Sequence, residues 1–532
     1  MSQTKTYVLL FIAAVLYTLG FSNIFNIYVP FLPLVATAII TFFIFQANST
    51  KQRLIYYFFY NTIINIISFY WITNTFQEFG KLPFIIALGL NAGFALILNP
   101  HFLILIFALK LIDRNFKKLE NHYFQSGIFA MILACLFTIA EYIVPQQFPV
   151  MLGQPWIIWS KYLGTAKYLG QHVFSFFSYL LAFEMIHFIK KKKMSYLNLS
   201  MILVFIVINP LLSTKTELKN PTEFNIRLVQ ANISNFLKVS SEGGGYASVS
   251  EVLSRYKTLS TAPYIEGKSI DLIVWPETAY PYPIKTTTAD LSQTQVPYLF
   301  HEIISQTKAE LLFGGYEHRS DANDHFYKSE FNASLLLSQE ARLKDTYQKH
   351  ILIPFGETLP LGPLNRWASK LLPEMAFFAE GEKSTLFQTP KKINFISSIC
   401  YEILRPEFIR NYLNKTKIRP HIMINLTNDS WYGDTVEPEL HLMLTKWRAI
   451  EFNLPILRAT NTGISTYINQ QGQEVKRLAY NKTGNLDLSL KLANKDTKLF
   501  STFYQKYGFG GIFPLWLLFF IFHLILLKLR ND

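Results

Sequence analysis

The sequence predicts a polytopic α-helical membrane domain with eight spans, joined to a large extracytoplasmic α/β domain in which helices flank two packed sheets. The composition is 50% hydrophobic and only 16% charged, which is more apolar than an ordinary soluble protein. Apolar runs of about 20 residues, the length that a helix needs to cross a bilayer, recur up to residue 212 and once more near the C-terminus. From residue 213 to residue 507 short β-rich runs replace them.

Seven apolar runs precede residue 213 and an eighth follows residue 507. The runs cover residues 7–25, 28–46, 54–73, 83–109, 125–144, 168–189, 194–212 and 508–527. The first run follows Lys5 as a secretory signal would, but no Ala-x-Ala cleavage pattern comes after it, so we interpret it as a retained anchor. These boundaries predict a seven-span transmembrane domain at 1–212, an outer domain at 213–507, and a C-terminal transmembrane helix with a short cytoplasmic tail at 508–532.

Loop lysines and arginines predict the orientation of the spans, because they concentrate on the cytoplasmic side of membrane proteins. With the N-terminus inside, the inner segments contain thirteen of these residues and the short outer loops contain three. The inner set is Lys5, Lys51, Arg53, Lys110, Arg114, Lys117, Lys118, Lys190, Lys191, Lys192, Lys193, Lys528 and Arg530, and the outer set is Lys81, Lys161 and Lys167. The asymmetry predicts that residues 213–507 lie outside the cytoplasm. A single miscounted span would place them inside.

The two cysteines are predicted to lie in different environments. Cys135 falls inside the fifth predicted span, and Cys400 falls in the outer domain. They are therefore not expected to form a disulfide with each other. A lone thiol in an oxidising compartment is a liability unless it has a chemical role, which favours a function for Cys400 over simple core packing.

The outer domain alternates β-rich runs with helical or loop segments from residue 224 onward. Several runs, such as DLIVW and INFISSI, are almost continuously apolar, which is typical of strands buried on both faces. The segment EPELHLMLTKWRAIEFN places Leu440, Leu444 and Trp447 on one face at helical spacing. This pattern predicts an α/β domain, a two-sheet sandwich flanked by helices, that is large enough to be stable by itself.

Three side chains that could act as a base, a cation and a nucleophile lie at or near the ends of predicted strands. Glu277 follows DLIVW, Lys349 stands before HILIPFGE, and Cys400 closes INFISSI. Reactive groups of α/β domains gather where strands end and loops begin. Taken singly, each residue has another interpretation: a solvated turn carboxylate, a surface charge and a buried core thiol.

The blocks around these residues resemble the signature blocks of the nitrilase superfamily. They read LIVWPETAYP, YQKHILIPFGETLP and SSICYEILRP, in the family's order and with its wide spacing. The KHxLxPFGE form of the second block, the later segment 425–465 and the eight flanking spans resemble one branch, the apolipoprotein N-acyltransferases. The resemblance covers essentially the whole chain and is strongest from Gln230 to Gly463. It implies a nitrilase-like αββα sandwich.

The resemblance also implies that Glu277, Lys349 and Cys400 form a catalytic triad. A free thiol has a pKa of about 8.5, so activation needs a base and a positive neighbour. Glu277 would accept the thiol proton, Cys400 would attack an ester carbonyl, and Lys349 would favour the thiolate and the oxyanion. A backbone N–H near Tyr401 would complete the oxyanion site.

Two further glutamates match positions of the family. We expect Glu357 to hold Lys349 or a substrate amine, and Glu402 to orient the Cys400 loop. The alternative is that both only accept hydrogen bonds from backbone groups at turns.

The implied reaction is ping-pong acyl transfer in the bacterial inner membrane, with the catalytic domain in the periplasm. Cys400 would take a fatty acyl chain from a phospholipid, mainly phosphatidylethanolamine, and pass it to the α-amine of the N-terminal diacylglyceryl-cysteine of an apolipoprotein. The thioester keeps the acyl group activated, so no cofactor and no metal are expected. A good share of the net charge of +14 falls in loops predicted to be cytoplasmic, so it needs no nucleic-acid partner.

Two other functions fit parts of the pattern. A membrane-anchored nitrilase-type amidase that uses water as the acceptor would have the same triad. A non-catalytic transporter or scaffold would have no reason to retain Glu277, Lys349 and Cys400 together.

Substrate contacts are predicted at four aromatic residues. Trp431 and Tyr432 could line an acyl tunnel or fill the core. Phe377 and Phe378 belong to the apolar segment 361–382, which could dip into the membrane interface and gate lipid entry, or could be a helix packed on the domain. The glycine-rich stretch within 235–250 departs from the family pattern and predicts a flexible loop.

Overall fold

Helices dominate the first 212 residues of the computed structural model. The structure describes residues 2–25, 27–78, 82–111, 127–144, 146, 148–213, 220–287, 290–319, 330–354, 357–358, 362–364, 378–494 and 499–531. Helices in the N-terminal part are α1 Gln3–Thr18, α2 Leu32–Gln46, α3 Thr50–Ser68, α4 Trp71–Glu78, α5 Phe84–Phe94, α6 His101–Leu111, α7 Ile128–Ile143, α8 Ala166–Leu169, α9 His172–Lys191 and α10 Tyr196–Leu212. A 3-10 helix, Gln154–Tyr162, precedes α8.

The predicted eight spans are not confirmed. Among the described residues, only the segments His172–Lys190 and Phe503–Ile525 are long and apolar enough to cross a membrane by themselves. Several shorter helices nevertheless point large apolar side chains outward. Ile85 in α5 is 82% exposed and Leu203 in α10 is 62% exposed. Such surfaces are typical of contact with lipid or with another protein.

The fourth predicted span, 83–109, is wrong as a single helix. Helix α5 ends at Phe94 and α6 begins at His101, with turns between them. Asn99 has a positive φ of 48°, and its buried side chain donates to Asn61 and accepts from the Tyr17 hydroxyl. Hydropathy could not detect the break because the turn residues Leu96, Ile97 and Leu98 are as apolar as the helices.

The α/β part of the chain, which the sequence predicts to be the outer domain, contains two β-sheets. Its strands are β1 Thr222–Gln230, β2 Leu272–Val274, β3 Pro283–Thr286, β4 Glu310–Arg319, β5 Glu330–Leu337, β6 Leu343–Gln348, β7 Phe387–Gln388, β8 Asn394–Ile399, β9 Ile422–Thr427, β10 Ile456–Thr460, β11 Ser465–Ile468, β12 Glu474–Leu478 and β13 Gly484–Leu492. In the described part of the chain, the first sheet has the order β13-β1-β2-β4-β5-β6 with β3 paired to β4, and the second has the order β12-β11-β10-β9-β8-β7.

Parallel pairs form the centre of each sheet, and helices connect them. Strand β1 pairs in parallel with β2, and β2 with β4, while β8 pairs with β9 and β9 with β10. The connections contain α11 Asn235–Glu242, α12 Tyr246–Thr261, α13 Tyr298–Thr307, α14 Pro406–Lys415 and α15 Glu437–Glu451. Parallel crossovers place their helices on a face of the sheet. The final helices are α16 Phe503–Tyr507 and α17 Phe513–Asn531.

Side-chain alternation along β2 shows how the first sheet is buried on both faces. Leu272 and Val274 belong to the core that also contains the second sheet. Ile273 and the following Trp275 belong to a separate core with residues of α12 and α13. The predicted two-sheet sandwich flanked by helices is therefore confirmed.

Helix α15 joins the sandwich to the N-terminal helices. Leu440, Leu444 and Trp447 are all buried, as their spacing predicts. The Trp447 indole donates to the Gln154 carbonyl at 3.1 Å, and its ring lies 5.1 Å from that of Phe174 in α9. The outer domain and the helical part thus share a core.

The loop predicted within 235–250 is instead the junction of two helices. Helix α11 ends at Glu242 and α12 begins at Tyr246, with Gly243–Gly245 between them. Gly244 has a φ of +81°, which glycine adopts without strain. Only these three residues break the helical structure.

Replacing Arg227 with methionine is expected to lower the free energy of unfolding by about 3–5 kcal/mol. Loss of the buried guanidinium would leave its hydrogen-bond acceptors, a carboxylate and several backbone carbonyls, without their donor. Its Nε and Nη2 each donate to Asp487 at 2.7 Å, and Nη1 and Nη2 also donate to backbone carbonyls at 259–263. Denaturant unfolding of the purified full chain, followed by tryptophan fluorescence, measures the loss. The matched control is Lys268→Met, whose exposed pair with Glu223 is screened by solvent, so its loss is expected to leave the stability nearly unchanged. An equal loss in both variants would contradict the prediction.

Candidate active site

Three strand ends carry the side chains singled out in the sequence. Glu277 follows β2, Lys349 follows β6, and Cys400 follows β8 of the opposite sheet. All three are buried, with exposures of 7%, 0% and 3%. The site therefore lies between the two sheets, at their ends.

Lys349 lies between two carboxylates. Its Nζ is 3.1 Å from Glu277 Oε1 and 2.8 Å from Glu357 Oε1. Asn332 Nδ2 donates to the same two oxygens at 2.9 and 2.8 Å. Burial alone would lower the pKa of Lys349, but Glu277 and Glu357 hold it above its usual value. The ammonium is therefore charged at neutral pH.

Glu277 is also bound from the second sheet. Its Oε2 accepts a hydrogen bond from the Asn428 backbone N–H at 3.0 Å. Asn428 follows β9, so this bond connects the strand ends of the two sheets. The carboxylate is held in one orientation, with its proton-accepting oxygens inside the site.

Cys400 sits at a sharp turn between β8 and the 3-10 helix Cys400–Leu404. Its φ is +50°, a left-handed conformation that is unfavourable for a residue with a side chain. Such local strain clusters at functional sites, where the surrounding structure holds it. The Asn425 amide donates to the Cys400 carbonyl at 3.4 Å and supports this conformation.

The charges of the site act on the Cys400 thiol in opposite directions. Burial raises its pKa well above the usual value, and the Glu277 carboxylate raises it further. Lys349 and a hydrogen bond from the Thr427 hydroxyl lower it. The thiol is therefore neutral at rest, and nucleophilic attack requires transfer of its proton to a base.

Two family models match the chain, and together they cover both of its parts. The carbon-nitrogen hydrolase model matches residues 225–493, and the model of the apolipoprotein N-acyltransferase N-terminal domain matches residues 13–183. A protein of Bdellovibrio bacteriovorus named apolipoprotein N-acyltransferase is 30% identical over 428 residues, which cover 78% of this chain and 76% of that one. The chain belongs to the apolipoprotein N-acyltransferase family. Relatives of the same name from Haemophilus ducreyi and Haemophilus influenzae are each 26% identical, over 81% and 87% of this chain and 81% and 84% of their own.

Within this family member, Glu402 connects the strand ends that carry Lys349 and Cys400. It accepts hydrogen bonds from the backbone N–H groups of His350, Ile351 and Ile399 at 2.6, 3.2 and 2.7 Å, and from the Tyr347 hydroxyl at 2.7 Å. Burial raises its pKa to about 7, although these donors oppose the shift. It accepts hydrogen bonds from backbone donors of two segments, and its role in orienting the Cys400 loop stays a prediction.

Glu357 contacts the Lys349 ammonium and the backbone. Its Oε1 binds Lys349, and its Oε2 accepts from the Ile353 N–H at 2.9 Å. Segment 361–382 follows it in the sequence, and most of that segment falls outside the described residues.

Four aromatic residues surround the site at different depths. Tyr401 is buried; its hydroxyl accepts from Arg405, and its ring lies 6.2 Å from Phe148. Tyr432 is buried against Trp71 of α4 at 5.3 Å, whereas Trp431 is only half-buried. Phe378 stacks on Tyr316 at 5.6 Å. Phe377 lies outside the described residues.

Sequence reasoning missed three polar residues of the site. Asn332 bridges Glu277 and Glu357, Asn428 binds Glu277, and Thr427 bonds to the Cys400 thiol. Each interrupts or ends an apolar strand, as in FNASLLL and IMINLTN. A polar side chain within such a run is the signal that could have indicated them, since buried polar groups require partners.

Proposed function

We propose that this chain transfers a fatty acyl chain from a phospholipid, through a thioester on Cys400, to the α-amine of the N-terminal diacylglyceryl-cysteine of apolipoproteins. Membership in the family supports the reaction class. The observation that carries the assignment of residues is the buried Lys349 ammonium, which Glu277 and Glu357 bind. The charges of Lys349 and Glu277 act on the thiol of Cys400, a residue in a left-handed turn.

In the first half-reaction, Glu277 accepts the proton of the Cys400 thiol as the sulfur attacks the ester carbonyl carbon of the donor. Lys349 balances the negative charge that develops, and the N–H of Tyr401 donates to the oxyanion. The carbon–oxygen bond of the ester then breaks. The leaving alkoxide takes the proton from Glu277 and departs as a lysophospholipid, which leaves the acyl group on Cys400. Phosphatidylethanolamine is the donor that we propose.

In the second half-reaction, the neutral α-amine of the lipid-modified cysteine attacks the thioester carbon. A carbon–nitrogen bond forms and the carbon–sulfur bond breaks. Glu277 accepts a proton from the attacking amine and returns it to the Cys400 sulfur. An amide forms and the free thiol is restored, so the products balance without a nucleotide.

Aromatic residues near the site are the proposed acyl-chain contacts. Tyr432 packs on Trp71 of α4, and so joins the active-site loop to a helix of the N-terminal part. Trp431 is half-buried beside it. We propose that these two side chains line the acyl path, and that Phe377 and Phe378 act at its entrance.

Acceptor identity separates acyl transfer from the amidase alternative. Purified protein with phosphatidylethanolamine vesicles and a diacylglyceryl-cysteine peptide is expected to produce one N-acyl peptide per lysophospholipid released. Mass spectrometry of both products measures this ratio, and a peptide with a blocked α-amine is the control. Release of free fatty acid without N-acyl peptide would favour the amidase.

The proposed orientation places the active site in the bacterial periplasm, with eight spans and the N-terminus in the cytoplasm. Its support is the unequal distribution of lysine and arginine between the two sets of loops. Alkaline phosphatase fused after Thr214 is expected to be active, and a fusion after Arg530 inactive. The reverse result would contradict the orientation.

A further inference from the structure

Four charged side chains form a buried cluster behind Cys400 that the proposed reaction does not use. The cluster consists of Asp429, Glu437, His441 and Arg458, which we call the rear cluster, and each is at most 1% exposed. Arg458 Nη2 donates to Asp429 Oδ2 at 2.7 Å. His441 Nδ1 lies 3.6 Å from Asp429 Oδ1 and 3.5 Å from Glu437 Oε1. Four ionisable groups sealed away from water require their charges to balance.

Short chains of contacts connect the rear cluster to the nucleophile. Arg458 Nη1 donates to Asn425 Oδ1 at 3.3 Å, and Asn425 Nδ2 donates to the Cys400 carbonyl. On the other side, Thr427 Oγ1 lies 3.4 Å from Asp429 Oδ1. The same hydroxyl is within hydrogen-bonding reach of the Cys400 thiol, so its single proton can be donated to either partner. The cluster therefore holds Cys400 through its carbonyl and through its sulfur.

The same segment positions the base. Residues 427–429 close β9, and the Asn428 N–H between them donates to Glu277 Oε2. Gly463 leaves the space that Asp429 occupies, because a Cβ there would lie 1.9 Å from Asp429 Oδ2. A shift of Asp429 would move the groups that contact both Glu277 and Cys400.

Charge balance decides how many protons the rear cluster holds. Ionised Asp429 and Arg458 cancel. The charges of Glu437 and His441 cancel only if the pair holds one titratable proton between them. We place that proton on the imidazole, which lies beside the two carboxylates. A divalent cation in place of that proton would leave a buried net charge of +1, which burial opposes.

We propose that a protonated His441 keeps Asp429 and Glu437 ionised and in place, and so positions Thr427 and Asn428 against Cys400 and Glu277. This inference rests on the proposed function. The four members of the cluster are positioning residues, since they act through Asn425, Thr427 and Asn428.

The surroundings of His441 and Asp429 favour this arrangement, whereas the burial of Glu437 opposes its ionisation. Burial and Arg458 lower the pKa of His441, but Asp429 and Glu437 outweigh them and raise it above its usual value. Burial raises the pKa of Glu437 to about 7. Burial would also raise the pKa of Asp429, but Arg458 and His441 hold the pKa of Asp429 below its usual value. Among the described residues, the other titratable groups that interact with the cluster are Tyr432 from its own loop, Tyr480 beyond β12, and Cys400 from the site.

The test compares His441→Gln with the double variant Glu437→Gln and His441→Gln. In the single variant, Glu437 must bind a proton of its own, so thioester formation relative to the unmodified chain is expected to fall about tenfold from about pH 6 to about pH 8.5. In the double variant both amides are neutral and Asp429 still pairs with Arg458, so the ratio is expected to stay constant. Intact-mass analysis of the acyl adduct measures the rates. The control is Glu439→Gln, an exposed residue of the same helix.

A second readout needs no lipid. Alkylation of Cys400 by iodoacetamide, in a Cys135→Ser background, is expected to show the same pH dependence in the same variants. Absence of thioester in the unmodified chain would overturn the proposed function, and alkylation would still test the rear cluster.

Several results would overturn the inference. They are identical pH profiles for the single and the double variant, loss of folding in both, or one bound divalent metal per chain that disappears in His441→Gln. If His441→Gln fails to fold and the double variant folds, the result supports charge balance. Both variants lack the imidazole, so the recovery of folding must come from removal of the Glu437 charge.

Discussion

Replacing Cys400 with alanine is expected to abolish the acyl-enzyme and to lower acyl transfer by about 10⁴-fold or more, the scale seen when a catalytic nucleophile is removed. Serine at this position is expected to be nearly as inactive, because Glu277 and Lys349 are arranged around a thiol, whose proton leaves far more readily than that of a hydroxyl. Intact-mass analysis after incubation with phospholipid, and quantification of N-acyl peptide, measure the two losses.

The chain contains a matched control in its other cysteine. Cys135 lies in α7 and is a free thiol, as is Cys400. Cys135→Ala is expected to retain the fatty-acyl adduct and at least about half of the transfer rate, since conservative substitutions away from the site change little. An adduct that persists in Cys400→Ala and disappears in Cys135→Ala would refute the assignment of the nucleophile.

Replacing Lys349 with methionine is expected to lower acyl transfer by about 10²–10³-fold, because a charge aimed at a developing oxyanion typically contributes about 3–4 kcal/mol. The same change leaves Glu277 and Glu357 buried beside each other without a cation. Stability is therefore expected to fall by about 3–5 kcal/mol, the usual result of removing one partner of a buried ion pair. Transfer assays and denaturant unfolding measure the two effects separately.

A double variant separates the role of Lys349 in catalysis from its role in stability. Lys349→Met combined with Glu357→Gln removes one of the two stranded carboxylates, so stability is expected to recover in part while transfer stays low. Lys383→Met, which removes an exposed lysine paired with Asp345, is the control and is expected to match the unmodified chain in both assays. Recovery of transfer along with stability would show that Lys349 acts only structurally.

The secondary structure of the outer domain was largely predictable because its apolar runs are long and regular. DLIVW and INFISSI became buried strands, and the helical spacing of Leu440, Leu444 and Trp447 became α15. The predicted secondary structure was wrong where the residue types favour one conformation and the chain adopts another. Leu96 to Leu98 are apolar, as in a helix, but they form turns. The glycines at 243–245 predicted a longer flexible loop, but they only separate two helices by three residues.

The candidate site was predictable only in part. Glu277, Lys349 and Cys400 stand at predicted strand ends, and the resemblance of the blocks around them to the nitrilase superfamily indicated them together. Asn332 and Asn428 carry ordinary amides, and their places in or after apolar strands indicate that they need partners but not which partners. Their importance comes from positions 55 and 151 residues away from Glu277 along the chain, where the fold places them within hydrogen-bonding distance.

The sequence by itself determined the division into apolar helices and an α/β domain, the family, and the identity of the reactive groups, because hydropathy, periodicity and side-chain chemistry are local properties. Only the tertiary structure decided that Lys349 lies between two carboxylates, that Cys400 adopts a left-handed turn, and that Asp429, Glu437, His441 and Arg458 share one buried cluster. The physical reason is that burial and Coulomb interactions depend on distances in space, and strands far apart in the chain set those distances.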